Sequence, residues 1–193
     1  SDLDDTALAG WPDVPIHRFD TVGPRNYCAS PGMAMHMLRN HYDLVHVHGI
    51  WMFHVFAARM AMLRGSPVII SPHGMLESFI LQNSRHSKAA VSALYQKATL
   101  SKAKVLHALT PNEKAEINAY CPGTRTEIIA NFVRPPKPDG KNPPWWRPNL
   151  EGKRIFLFFG RIHEKKGWRP LLKAWAARCE AAPAFRDAAQ LVL

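Results

Sequence analysis

The residues best equipped for chemistry lie in the stretch Gly160-Arg161-Ile162-His163-Glu164-Lys165-Lys166-Gly167. Arg161, Lys165 and Lys166 put three cations into one short loop. Before it, residues 155–159 form an unbroken apolar run, the pattern of a strand buried on both faces of a parallel sheet. After it, Trp168, Leu171, Leu172, Trp175, Ala176 and Cys179 recur at helical spacing, with Arg169, Lys173 and Arg178 elsewhere on the wheel. A cationic loop between a parallel strand and a helix N-terminus is suited to an anion, most simply a phosphate or diphosphate. Solvated surface cations also occupy such loops, and position and charge alone do not choose. Neither a G-x-x-x-x-G-K-[ST] nor a G-x-G-x-x-G pattern is present, so the usual nucleotide fingerprints do not apply.

A second group of polar residues falls at the ends of earlier strand patterns. The runs 43–48, 67–71, 104–109 and 126–130 read as strands, separated by helical patterns, which predicts an α/β fold with a parallel sheet. Beyond their carboxyl ends come His48 and Gly49, then Ser71, His73 and Gly74, then Thr110, then Asn131. In open parallel sheets that edge is where ligands bind. His46 and His48 share a strand face, and with His54 and His73 they raise the question of a metal. No carboxylate or cysteine joins them at ligand spacing, and no metal is expected. His73, before a glycine at a strand end, can be structural or functional. Trp51 reads either as part of a binding surface or as an anchor at a helix start, and Thr110 with Glu113 reads first as a capping box.

The positioning elements follow from local signals. Residues 15–19 could form a short edge strand. Ser30-Pro31 opens a helix with Ala34, Met37, Leu38 and His41 on one face. Phe53, Phe56, Ala57 and Met60 mark the next helix, and Gly65 stops it. A long helix is expected over 84–102, with Ala90, Val91, Leu94, Tyr95 and Ala98 inward. Thr110-Pro111 opens another that ends near Cys121-Pro122-Gly123. Residues 134–148 hold six prolines in fifteen residues and cannot be regular helix or sheet interior. The expected organisation is therefore a domain over 1–133, a proline-rich linker over 134–150 in which Trp145 and Trp146 pack, and the start of a second domain over 151–193. One βα unit and the strand-like 190–193 cannot close a core, so the chain is expected to be a fragment, lacking also a first strand in its polar opening.

The 193 residues are 47% hydrophobic and 10% aromatic, enough for a core. Cys28, Cys121 and Cys179 are scattered and odd in number, which argues against a disulfide framework or zinc site and for a reducing cytoplasm. No stretch is apolar enough to span a bilayer, and no signal-peptide pattern opens the chain. The net charge of +10 implies an anionic partner: nucleic acid, an acidic membrane surface or a phosphorylated substrate. Arg85, Lys88, Lys97, Lys102 and Lys104 lie in a stretch without acidic residues, which a solvated helix face would also explain.

Taken in order, DLVHVHGIW, VIISPHGM, LHALTPNE, IIANFV and FFGRIHEKKG followed by LLKAWA resemble a bacterial family 4 (group 1) glycosyltransferase of the GT-B type over about residues 43–193. The resemblance implies a Rossmann-like N-terminal domain with a parallel sheet, plus the first βα unit of a second Rossmann-like domain, with the active site between them. It implies transfer of a sugar from a nucleotide-sugar with retention, with no cofactor and no obligatory metal. It assigns the donor diphosphate to Arg161 and Lys166, with Gly160 opening that loop, and a catalytic position near the transferred sugar to His73. His48, Gly49 and Trp51 would line the acceptor side, with Gly74 and Asn131 in the cleft. The glycine-rich loop after the family's first strand and its C-terminal E-x7-E segment are absent, so this polypeptide by itself is expected to be inactive.

On this reading the partners are a nucleotide-sugar donor and a glycan or lipid-linked acceptor used in polysaccharide biosynthesis. The basic 85–104 stretch would rest on anionic lipid at the inner face of the cell membrane. An inactive binding module with the same fold is the alternative. A nucleic-acid-binding protein is suggested by charge alone, and no recognition motif supports it.

Overall fold

The computed structural model describes residues 14–82, 84–133, 135 and 140–193. The opening segment and residues 134 and 136–139 of the proline-rich expectation over 134–148 lie outside them. The chain divides into two compact units, Ser1–Val133 and Arg134–Leu193.

The first unit is built on four parallel strands in chain order: β1 (Val45–His48), β2 (Val68–Ser71), β3 (Val105–Ala108) and β4 (Thr126–Ile128). Each is shorter than its apolar run because the ends leave the ladder for loops. Parallel neighbours added successively in one direction by right-handed crossovers send the connecting helices to one face. On that face Val45, Val47, Val68, Ile70, Leu106 and Ala108 form a core with Val55, Ala58, Ala61, Leu100 and Ile117 from the helices. The strand positions in alternation with them, His46, His48 and His107, project from the other face.

Helix α1 (Pro31–Arg39) starts as predicted, with Ser30 Oγ accepting the Met33 amide and Pro31 in the first turn. It ends before His41. Residues 15–19 are not a strand. The rings of His17 and Phe19 instead pack on His36 of α1, at 4.8 and 5.2 Å, and Pro15 has no amide to offer a sheet. Helix α2 (His54–Leu63) buries Val55, Ala57, Ala58 and Ala61; of the predicted face Phe53, Phe56, Ala57 and Met60, only Ala57 is fully buried and the other three are half-buried, because small side chains let the helix lie close on the sheet.

The long helix expected over 84–102 is interrupted. After α3 (Ser78–Gln82) come α4 (Arg85–Val91), a π-helical turn (Ser92–Gln96) and α5 (Lys97–Lys102). The wide turn rotates the chain, so Tyr95, Gln96, Thr99 and Leu100 face inward, while Leu94 is 79% exposed and Ala90 and Ala98 are exposed. Helix α6 (Pro111–Tyr120) opens at Thr110, whose side chain accepts the Glu113 amide.

In the second unit, β5 (Arg154–Leu157) pairs in parallel with β6 (Ala189–Val192), and α7 (Trp168–Ala181) and α8 (Pro183–Ala188) connect them. Phe156, Trp175 and Phe185 pack with ring centroids 5.2–5.9 Å apart. The expectation of a strand buried on both faces is not met here. Phe156 and Leu157 are 40% and 45% exposed, because two strands and two helices supply only one covering layer.

Candidate active site

The carboxyl edge of the first sheet gathers the histidines, and their hydrogen bonds fix how each presents its protons. His107 Nε2 lies 2.7 Å from the carbonyl oxygen of Ile129, which can only accept, so Nε2 carries a proton. In neutral His107, Nδ1 is then the acceptor for the Ser71 hydroxyl at 2.8 Å. Ser71 Oγ in turn accepts from His46 Nε2 at 2.8 Å. The polarity of this chain runs from β1 across β2 to β3. Burial lowers the pKa of His46, and the neighbouring His48, His107 and His73 lower it further, so the neutral form of His46 is favoured.

His48 and His73 form a second pair, Nδ1 to Nε2 at 2.8 Å, with rings inclined by only 9°. His73 is likewise held below the ordinary histidine value, by burial first and then by His48, with Glu113 acting in the opposite sense. Its backbone is unusual: His73 and Gly74 both have positive φ, 56° and 71°. A left-handed conformation costs a non-glycine residue roughly 1–2 kcal/mol, and it persists only where neighbours impose it.

Glu113 holds the Gly74 side of this turn. The capping-box expectation is met in one direction only. Instead of returning to the Thr110 amide, the carboxylate spans two other segments. Oε1 accepts the Gly74 amide and Oε2 the Leu109 amide, each at 2.7 Å, and the residue is 6% exposed. A buried acid thus ties the turn after β2 to the turn after β3.

The turn after β1 is fastened just as firmly. Gly49 has φ +82°, and a Cβ there would lie 3.3 Å from Met75 Cε. The Ile50 amide points at Met75 Sδ, 3.3 Å away. Trp51 also has positive φ, 72°. Its amide donates to Oε1 of the fully buried Gln96 at 2.6 Å, and its indole N–H donates to Met75 O at 2.9 Å. The π-helical turn is what swings Gln96 inward to meet it.

The structure therefore brings His48, Gly49, Trp51, His73 and Gly74 into one assembly. Asn131 is exposed, past Ile129 on the loop leaving β4. Gly160, Arg161 and Lys166 belong to the second unit. There Arg161 and Lys166 are exposed, Gly167 adopts φ +68° ahead of α7, and Glu164 pairs with Arg169 at 2.7 Å. Gly160 has ordinary φ and no neighbour within 4 Å of a built Cβ, so its backbone gives no steric reason for glycine. Among the described residues no three His, Cys, Asp or Glu side chains are placed to share a metal ion.

Sequence reasoning missed His107, Gln96, Met75 and the bridging role of Glu113. For His107 a signal existed, since it alternates with buried Leu106 and Ala108. For Gln96 there was none, because its inward position depends on the π-turn.

Parallel strands wound in one direction, with left-handed turns and polar side chains at their carboxyl edge, define a Rossmann-like ligand-binding domain of α/β type. Residues 5–136 match the Glycosyltransferase Family 4 description, and the chain belongs to that family. Its first unit is accordingly the Rossmann-like N-terminal domain of a GT-B-type protein, and glycosyl transfer is the activity of its class. No curated protein matches the chain. Among the described residues no helix is long and apolar enough to cross a membrane.

Proposed function

We propose that the protein transfers a sugar, with retention, from a nucleoside-diphosphate sugar to a hydroxyl of a cell-surface glycan or lipid-linked acceptor. The observation that carries this reading is the strained His73–Gly74 turn, held by the buried Glu113 at the carboxyl edge of a family 4 sheet. A turn held at such cost is worth maintaining where a side chain must be aimed.

Arg161 and Lys166 take the donor diphosphate in this scheme, with Gly160 opening their loop. As the bond from the anomeric carbon to the phosphate oxygen breaks, negative charge grows on the leaving diphosphate. Cations already in place there stabilise the transition state more than the ground state. His73, favoured in its neutral form, offers a hydrogen bond to the transferred sugar without adding a cation beside the electron-poor anomeric carbon. His48, Gly49, Trp51, Gly74 and Asn131 line the acceptor side. Neither a metal nor another cofactor has a role in the scheme. The work is placed in the bacterial cytoplasm, in polysaccharide biosynthesis, with the basic 85–104 stretch against anionic lipid headgroups.

The test is calorimetric titration of UDP and GDP into the full-length protein and its Arg161→Ala variant. Micromolar binding of one nucleotide, weakened by about 1–3 kcal/mol in the variant, is the expected result for loss of a charge-assisted diphosphate contact. Absence of binding by both nucleotides would overturn the donor assignment.

A further inference from the structure

His73 carries an exposed side chain on a strained turn, and backbone contacts alone do not fix its ring. Glu113 secures only the peptide that follows, through the Gly74 amide. An exposed imidazole left to itself samples several rotamers and both neutral tautomers. His48 removes that freedom. It is the last residue of β1 and pairs in register with Ser71 of β2, so its backbone belongs to the sheet. Its ring is backed in turn by His46, with ring centres 4.2 Å apart, and His46 is tied through Ser71 to His107 and the Ile129 carbonyl.

The geometry of the pair is specific. His48 Nδ1 lies 2.8 Å from His73 Nε2, and the ring planes differ by 9°. A five-membered ring with bonds of about 1.33 Å places each nitrogen roughly 1.1 Å from its centre. Two such radii and the 2.8 Å gap account for the whole 5.1 Å between the ring centres. Both nitrogens therefore lie on the line joining the centres, and the rings are nearly coplanar rather than stacked. That is the arrangement of a straight, in-plane N–H···N hydrogen bond.

Such a bond holds one proton, and the tautomers of both neutral rings follow from where it sits. With the proton on His73 Nε2, His48 Nδ1 accepts and His48 carries its own proton on Nε2. Both rings are then in the Nε2–H form, the one an isolated imidazole side chain prefers. With the proton on His48 Nδ1, both rings would be forced into the less stable Nδ1–H form. The first arrangement is the favoured one. Burial and the neighbouring His48 hold the His73 pKa below the ordinary histidine value, against an opposing pull from Glu113, so the neutral ring it needs is available.

We infer that His48 is the positioning residue for His73: its Nδ1 accepts the hydrogen bond from His73 Nε2–H and so leaves His73 Nδ1, on the side of the ring away from His48, as a fixed bare acceptor for a ligand hydroxyl. That this hydroxyl belongs to the transferred sugar rests on the glycosyl-transfer reading; the pairing and the tautomer do not. Whatever His48 Nε2 meets on the acceptor side, its Nδ1 is committed to His73. Two residues thus aim one side chain, Glu113 of α6 at the backbone and His48 of β1 at the ring.

The experiment is heteronuclear NMR of the histidine ring nitrogens in the full-length protein at about pH 8, where ordinary histidines are neutral. It compares the unaltered chain with His48→Phe and His48→Asn, and His73→Gln assigns the His73 signals. His48→Phe keeps a flat ring and removes the acceptor. His48→Asn places a carbonyl oxygen near the position of Nδ1 and restores one. His48 is exposed, so both variants leave the core intact.

The unaltered chain should show a proton-bearing Nε2 and a bare Nδ1 on His73, with a scalar coupling from His73 Nε2 to His48 Nδ1 across the bond. His48→Phe should abolish the coupling and draw the two His73 nitrogen shifts together as the tautomers mix. His48→Asn should return those shifts towards their original values. A bare Nε2 on His73, no coupling in the unaltered chain, His73 shifts unmoved by His48→Phe, or His48→Asn behaving as His48→Phe does would each overturn the proposal. Failure of the UDP and GDP titrations beside an intact coupling would sink the donor assignment and leave the pair standing. Nucleotide binding without the coupling would do the reverse.

Discussion

The two units handle polar side chains in opposite ways. In the first, the turns after β1 and β2 are held in left-handed conformations at Gly49, Trp51, His73 and Gly74, and buried Glu113 and Gln96 accept their amides at 2.6–2.7 Å. In the second, the loop between β5 and α7 carries exposed cations, and its Glu164–Arg169 pair is 62% exposed on both sides. A buried acceptor that satisfies a backbone donor is costly to lose, whereas an exposed ion pair is screened and contributes little. The first region is preorganised in the folded chain. The second is a charged, solvated surface loop.

Removing Glu113 should break the first arrangement most severely. Glu113→Ala strands the amides of Gly74 and Leu109 beside a void and should destabilise the protein by about 2–4 kcal/mol in denaturant unfolding. A loss below about 0.5 kcal/mol would show that water replaces the carboxylate at little cost and that the turn is not held as described.

A smaller effect should appear with pH. His46 and His73 have folded-state pKa values lowered from 6.5, with burial the first cause, so the unfolded chain binds more protons in this range. Stability therefore rises with pH. Their contribution is complete above about 6.5 and is lost as pH falls through the depressed folded values. Melting temperature should fall on acidification from about pH 7 to about pH 5, and His46→Gln should flatten part of that slope. An unchanged slope in the variant would remove His46 from the account.

The smallest effect belongs to the second unit. Glu164→Gln should change stability by less than about 0.5 kcal/mol in the same unfolding measurement, since both partners are well solvated. A loss as large as that of Glu113→Ala would erase the contrast between the two regions.

Much of the frame was legible from local pattern. Apolar runs and caps located all four strands of the first sheet within a few residues, and Ser30-Pro31 and Thr110-Pro111 marked helix starts that the structure reproduces. The helix over 84–102 went astray because a π-turn depends on what its side chains meet, and that leaves no periodic mark. The site was half legible. His48 and His73 stood out by their place before glycines at strand ends. Glu113 looked complete as a cap, and a local explanation hid its long-range one.

The sequence by itself determined the parallel α/β order, the carboxyl edge at which the polar residues collect, the family, and the basic loop of the second unit. These depend on periodicity, turn chemistry and motif order, all of which are short-range. Only the tertiary structure decided that Glu113 joins two turns, that Ser71 links His46 to His107, and that Gln96 holds the Trp51 amide. Those contacts join residues 25 to 45 positions apart. They exist because strand pairing and helix packing bring the carboxyl ends of the strands together, and a buried polar atom then requires a partner from whichever segment arrives.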